Sequence, residues 1–294
     1  MRRSLMAVMA ASVTVSGCGA DGSKPAPQAA VAQPVAVAPA PAPAPAPTPS
    51  PTPAPTPTTP PGDVTTAGTQ QALPPLDLSE MRLWNYSAKW HASQWNNDFG
   101  AHPWRYDHVR PRKNGDVDFV LDSVAAPELI GQQSNGYYDS GLWEADVTIP
   151  ALREGMVVAP FWLYNHNTRE EFDFEFAGTR GLDVTIHAYP GGQHKTLTKR
   201  ISTGEGWAGR RARFGIRVNQ KAGWTEMLID NKVVHRFTRE ELGYFATDKF
   251  KPMFSVWATQ PGHSSLEAWT GRWKGLEPGQ EVTMTVHGYR YTPL

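Results

Sequence analysis

Six residues, Glu171-Phe172-Asp173-Phe174-Glu175-Phe176, alternate acid and phenylalanine without a slip. A β-strand turns successive side chains to opposite faces, so this period of two fits a strand and no helix. Glu171, Asp173 and Glu175 then share one face, and Phe172, Phe174 and Phe176 the other. Three phenylalanines on one face demand a core beneath them. The acids must therefore line the opposite surface, where each carboxylate raises the cost of ionising the next. A chain accepts that cost most readily where the acids do chemistry.

Cleavage of a glycosidic bond fits best. It uses two carboxyl groups flanking one acetal oxygen, one as acid and one as nucleophile or base. Glu171 and Glu175 have backbones about 13 Å apart at roughly 3.3 Å per residue, a gap that two long side chains on a curved strand must close. Asp173 lies between them, placed to hydrogen-bond Glu171 and to push a neighbouring pKa upward. A bare E-x-D-x-E is more often a solvated sheet face or a calcium site. Here the β-prone run Pro160-Phe161-Trp162-Leu163-Tyr164 precedes it, joined by the polar loop 165–169. That spacing predicts a hairpin delivering the acid strand to an aromatic surface.

Other segments alternate in the same way: 116–121, 143–149, 184–188, 214–218 and 282–286. Long helical periodicity is absent. Thr238 to Phe245 alone suggests a short helix, with Thr238 as cap and Glu241 three residues on. Many short strands with turn signals predict an all-β fold, a sandwich of two antiparallel sheets or jelly roll.

At this point the chain resembles glycoside hydrolase family 16, whose members carry E-[IL]-D-[IFV]-E-F. Tyr138 to Glu144, Leu228 to Val234, Pro252 to Trp257 and Val282 to Tyr291 resemble further family segments in the family's order. The resemblance covers about 200 residues and implies a concanavalin-like jelly roll. It implies Glu171 as nucleophile, Asp173 as its assistant and Glu175 as acid/base. Laminarinases, agarases and carrageenases usually insert one residue before the last acid. This chain does not, which places it on the side of the licheninases (endo-β-1,3-1,4-glucanases), xyloglucan transglycosylases and exopolysaccharide depolymerases. Where many relatives carry H-x-Y-x-x-x-W, the chain reads Arg213-Phe214-Gly215-Ile216-Arg217-Val218, a departure that implies an altered subsite. A structural calcium ion occurs in some relatives; its ligands are not identifiable from these residues, and no cofactor is expected.

The N-terminus has a different character. Met1-Arg2-Arg3, an apolar run from Leu5 to Val15 and Val15-Ser16-Gly17-Cys18 resemble a bacterial lipoprotein signal, 1–18, ending in a lipobox. Cys18 is the only cysteine, so no internal disulfide can form and its expected role is lipidation. Gly19 favours the outer membrane over inner-membrane retention. Residues 19–75 are expected to be a disordered Pro/Ala/Thr-rich linker, because they offer little apolar surface to bury. Extended at about 3.1 Å per residue, positions 25–62 reach on the order of 100 Å. Residues 76–294 form the expected catalytic domain.

All eleven tryptophans lie in that domain. Trp95, Trp104, Trp162, Trp257 and Trp269 are candidates for stacking on sugar rings, with Trp162 and Trp257 placed best by the resemblance. Each tryptophan taken singly is equally well explained by core packing. His166 and His187 flank the acid strand, and a hydrogen-bonded or exposed role explains either. No H-E-x-x-H, Gly-rich phosphate loop or G-x-S-x-G occurs. With 28 basic and 28 acidic residues and no basic run interleaved with aromatics, nucleic acid is not an expected partner. The expectation is a monomeric, membrane-anchored, retaining endo-β-glycan hydrolase acting on a polysaccharide. The alternatives are a transglycosylase using the same carboxylates and a non-catalytic carbohydrate-binding envelope lipoprotein.

Overall fold

A computed structural model describes residues 71–78, 89–132 and 137–294. The signal segment, Cys18 and the Pro-rich linker up to residue 70 lie outside the described residues. Among the described residues fourteen strands form two antiparallel seven-stranded sheets. The first is ordered β1 (Trp90–Ala92), β4 (Glu128–Gly131), β13 (Lys251–Ala258), β6 (Met156–Tyr164), β7 (Glu171–Ala177), β8 (Leu182–Ala188), β9 (Lys195–Ser202). The second is ordered β12 (Lys232–Thr238), β11 (Trp224–Ile229), β10 (Arg211–Asn219), β5 (Gly141–Thr148), β14 (Val282–Thr292), β3 (Val117–Leu121), β2 (Val109–Pro111). This is the expected jelly-roll sandwich.

The acid strand is β7, Glu171–Ala177, in the middle of the first sheet. Phe172, Phe174 and Phe176 are fully buried between the sheets. Phe174 meets Phe214 of β10 (Arg211–Asn219) edge-on at 5.2 Å, and Phe176 meets Trp207 at 4.9 Å. The predicted hairpin is present: β6, Met156–Tyr164, pairs antiparallel with β7, Tyr164 opposite Glu171 and Trp162 opposite Asp173. Its loop is held by Asn165, whose Oδ1 accepts from the backbone N–H groups of Asn167 and Thr168. The acid strand itself is regular. The register shifts instead between Val158 and Phe161 of β6, opposite Glu175, where Pro160 has no N–H to pair.

Register carries the site across the sheet. One row runs from Ile130 of β4 (Glu128–Gly131) through Met253 of β13 (Lys251–Ala258), Trp162 and Asp173 to Thr185 of β8 (Leu182–Ala188). The adjacent row reads Lys251, Tyr164, Glu171 and His187. Ile130, Ala159, Trp162, Tyr164 and Met253 form an apolar cluster of their own, separate from the inter-sheet core, on the face that bears the acids.

The short helix after Thr238 is present as α1, Arg239–Leu242, with the full capping box and left-handed Gly243 closing it. A second helix, α2 (Ser264–Thr270), corrects the expectation of only one. Its seven residues bury only Leu266 and Thr270, too little periodicity to read. Gly178, just after β7, has φ 56°, and a Cβ there would fall 1.9 Å from the Thr270 carbonyl oxygen. Only glycine lets the end of the acid strand approach α2 so closely.

The segment 213–218 needs a correction as well. It lies in β10 of the other sheet, and its residues do not line the acid face. Arg213 is buried and forks onto Asp146 at 2.7 and 2.9 Å. The departure from the family pattern is a structural exchange in that sheet, not an altered subsite. In the turn after β11 (Trp224–Ile229), Asp230 joins Asn231 at positive φ, 50° and 65°.

Candidate active site

Glu171 and Glu175 line one cavity on the acid face. Trp104, Trp162, Trp257 and Trp269 line the same cavity, so four of the five candidate tryptophans gather around the two carboxyls. Trp104 is almost completely buried and also packs into the inter-sheet core. Trp95 lines an adjoining cavity, stacked on His91 with centroids 5.9 Å apart. Asp173 is 1% exposed and lies between Glu171 and Glu175 without reaching the cavity wall.

The three acids are held in unlike states. Burial pushes the Glu171 carboxyl up, while a hydrogen bond from Asp173 pulls it back. Burial pushes Asp173 well above the carboxylate range, and the charges of Glu171 and Glu175 push it further. Glu175 is raised well above its ordinary value by burial, then by Glu171 and Asp183. Of the three, Glu171 alone has a neighbour that favours its charge. It is therefore the easiest of the three to ionise, while burial and like charge hold Asp173 and Glu175 upward. Glu175 Oε2 and the indole N–H of Trp162 are buried with no partner among the described residues. Buried polar atoms are nearly always paired, so such atoms around one cavity point to a ligand.

Behind Asp173 stands His187. Its Nε2 lies 3.4 Å from Asp173 Oδ2, and its Nδ1 is 2.8 Å from Nε2 of His194. Burial lowers the His187 pKa to about 3, so the ring is neutral and packs behind Asp173 without adding charge, with neither facing atom hydrogen-bonded. His166 is exposed and lines the adjoining cavity.

Two carboxyls escaped the sequence reading. Asp183 lies opposite Glu175 in the register, paired with Arg200, and its Oδ2 accepts from the indole N–H of Trp269 at 3.1 Å. It thereby fixes Trp269 over the cavity. One more step back along the alternation of Thr185 and His187 finds it. Glu128 also lines the cavity, accepting from Ser93 Oγ–H at 2.5 Å, and burial raises its pKa to about 8. Its signal is an acid inside the apolar run Glu128-Leu129-Ile130. Glu170, next to the nucleophile candidate, is structural: Tyr244 Oη–H, Thr168 Oγ–H and the Thr247 N–H all donate to it. Among the described residues no group of three His, Cys, Asp or Glu side chains is arranged to hold a metal ion.

These raised carboxyls predict a falling stability above neutrality. Each holds its proton more tightly in the folded chain than in the unfolded one, where carboxyls titrate near about 4. Stability from them is full at low pH and is lost as pH climbs towards the folded values. The buried histidines act oppositely, because their folded pKa is lowered, but their gain is complete by about pH 6.5. The lowered Lys251 begins to add stability only above about 8. Thermal melts are therefore expected to fall in Tm from pH 6.5 to 8, and Glu128→Gln should shallow that fall.

A jelly-roll sheet bearing paired carboxyls beneath tryptophans defines a carbohydrate-active protein. The family model for glycosyl hydrolases family 16 matches residues 96–275, and the chain belongs to that family. The fold is similar to a prokaryotic β-1,3-1,4-glucanase (lichenase) from a mouse hindgut metagenome, at 17% identity and TM-score 0.56, covering 70% of this chain and 93% of that one. It is also similar to the Bacillus licheniformis β-glucanase, at 20% identity and TM-score 0.56, covering 70% and 92%. The laminarinase catalytic domain from Thermotoga maritima aligns at 16% identity and TM-score 0.56, covering 72% and 94%. No curated protein matches the chain in sequence. The protein is a glycosidase of the β-glycan-cleaving type.

Proposed function

We propose that the protein is a retaining endo-hydrolase of a β-glucan-type or exopolysaccharide backbone. The observation that carries this reading is the pair of carboxyls, Glu171 and Glu175, in one tryptophan-lined cavity, with Asp173 hydrogen-bonded to Glu171. Glu171, charged, attacks the anomeric carbon. Glu175, protonated, gives its proton to the departing glycosidic oxygen, leaving a glycosyl ester on Glu171. Glu175, now a carboxylate, takes a proton from water as that water attacks the same carbon. The ester bond breaks, Glu171 is regenerated, and the product keeps the β configuration. Asp173 holds Glu171 in place, and the tryptophans stack on the sugar faces.

The uninterrupted acid strand supports a licheninase-like cleft over a laminarinase-like one. On mixed-linkage β-glucan, viscosity is expected to fall well before much reducing sugar appears. Release of monosaccharide from the outset would show exo-action instead. Transfer to added oligosaccharide in place of water would support the transglycosylase alternative.

The lipoprotein-like N-terminus supports lipid anchoring at Cys18 in the bacterial envelope. Cys18→Ser should move the protein from the membrane fraction to the soluble one while leaving hydrolysis intact. Unchanged membrane partitioning would refute the anchor.

A further inference from the structure

Beside the carboxylate cavity lies a second one, about 350 Å3 in volume, on the same face of the same sheet. The two share Tyr164 as a wall. Its chemistry differs from that of the first. Lys251, Lys249, His91 and His166 line it, with Asp248 as its acid. Lys251 is the cation that matters. It opens β13, in the same row as Tyr164 and Glu171, two strands from Glu171 or about 10 Å at roughly 4.8 Å per strand.

Lys251 is half-buried, and among the described residues no carboxylate lies within ion-pair distance of its Nζ, which is 5.6 Å from the centroid of the Tyr164 ring. An ammonium held only over an aromatic ring, half out of water, still has room for a counter-charge that a ligand in the cavity can supply. The neighbouring acids do not supply it. Burial raises Glu128 to about 8, so its carboxyl is mostly neutral at pH 7. Asp248 Oδ1 accepts from the backbone N–H of Lys249. Lys251 is itself lowered by burial only to about 8, so it is still mostly charged at neutral pH.

We propose that this second cavity is a subsite for a carboxylate-bearing sugar, with Lys251 as the anion-binding group, so that the natural polymer is an acidic β-glycan. The proposal rests on the glycosidase reading for the glycan and on Lys251 for the charge. Half-buried Trp95 gives the sugar ring a surface, and the ammonium takes the carboxylate.

The test separates the two readings. Binding is measured by calorimetry on the full chain carrying Glu171→Gln, so that turnover plays no part. The probes are mixed-linkage gluco-oligosaccharides and the same oligosaccharides oxidised at C6 to uronates. The oxidised form should bind roughly tenfold more tightly, and the preference should weaken with added salt. Lys251→Met, close in shape but uncharged, should bring the two affinities together. Lys251→Arg should keep the preference, which guards against a loss caused by misfolding. Equal affinities in the parent, or a preference that survives Lys251→Met, would overturn the proposal. Hydrolysis of the neutral and the oxidised polymer by the wild type is scored separately; its absence on both bears on the glycosidase reading, not on Lys251.

Discussion

Glu171→Gln is expected to lower kcat/KM by at least about 10⁴-fold while the protein melts within a few degrees of wild type. The amide nearly matches the carboxylate in shape but is a poor nucleophile. It also loses the charge that Asp173 is held to favour. The smaller Glu171→Ala leaves space beneath the anomeric carbon, and added azide or formate should then restore part of the rate. The rescued product should have the α configuration, because only one displacement occurs. Glu175→Gln should cost about 10²–10⁴-fold, the range of general acid–base catalysis, and less on substrates whose leaving group needs no proton. Wild-type-like turnover in Glu171→Gln would remove the nucleophile assignment.

Phe174→Ala is the counterpart on the other face of the same strand. Its ring is fully buried and meets Phe214 of the opposing sheet at 5.2 Å. Truncation leaves a cavity between two β-sheets that have little room to collapse. The expected loss is about 3–5 kcal/mol, a large share of the roughly 5–15 kcal/mol that holds a domain together. Urea titration should show the midpoint falling with little change in slope. The substituted protein, where still folded, should keep its pH-rate profile, because the carboxyls face away from the lost ring. A stability loss below about 1 kcal/mol would mean that the sandwich closes elsewhere.

These two substitutions mark what a sequence can disclose. The alternation of β7 is local, and period two decides both which residues enter the core and which meet the substrate. The hairpin with β6 is nearly local too, since six polar residues, 165–170, separate two β-prone runs. Thr238 with Glu241 is a local capping signal, and α1 starts there. What was not legible depends on register between distant strands. Glu128 reaches the cavity only because β4 pairs with β13 and β13 with β6. Lys251 enters the Glu171 row by the same pairing. Trp269 was named as a candidate, but neither its short helix nor the hydrogen bond to Asp183 that orients it has a local signature. The segment 213–218 misled for the same reason: a motif difference says nothing of which sheet carries it. Tryptophan is ambiguous in itself. Trp104 is at once core and cavity wall.

The central claim is a covalent glycosyl ester on Glu171 beneath a protonated Glu175. The most direct test is mass spectrometry of the wild-type protein after exposure to a 2-deoxy-2-fluoro β-gluco-oligosaccharide with a dinitrophenyl leaving group, which forms the ester quickly and loses it slowly. The account predicts one added glycosyl unit per chain, mapped by peptide digestion to Glu171. An unmodified protein that nonetheless releases an α-configured product would contradict it.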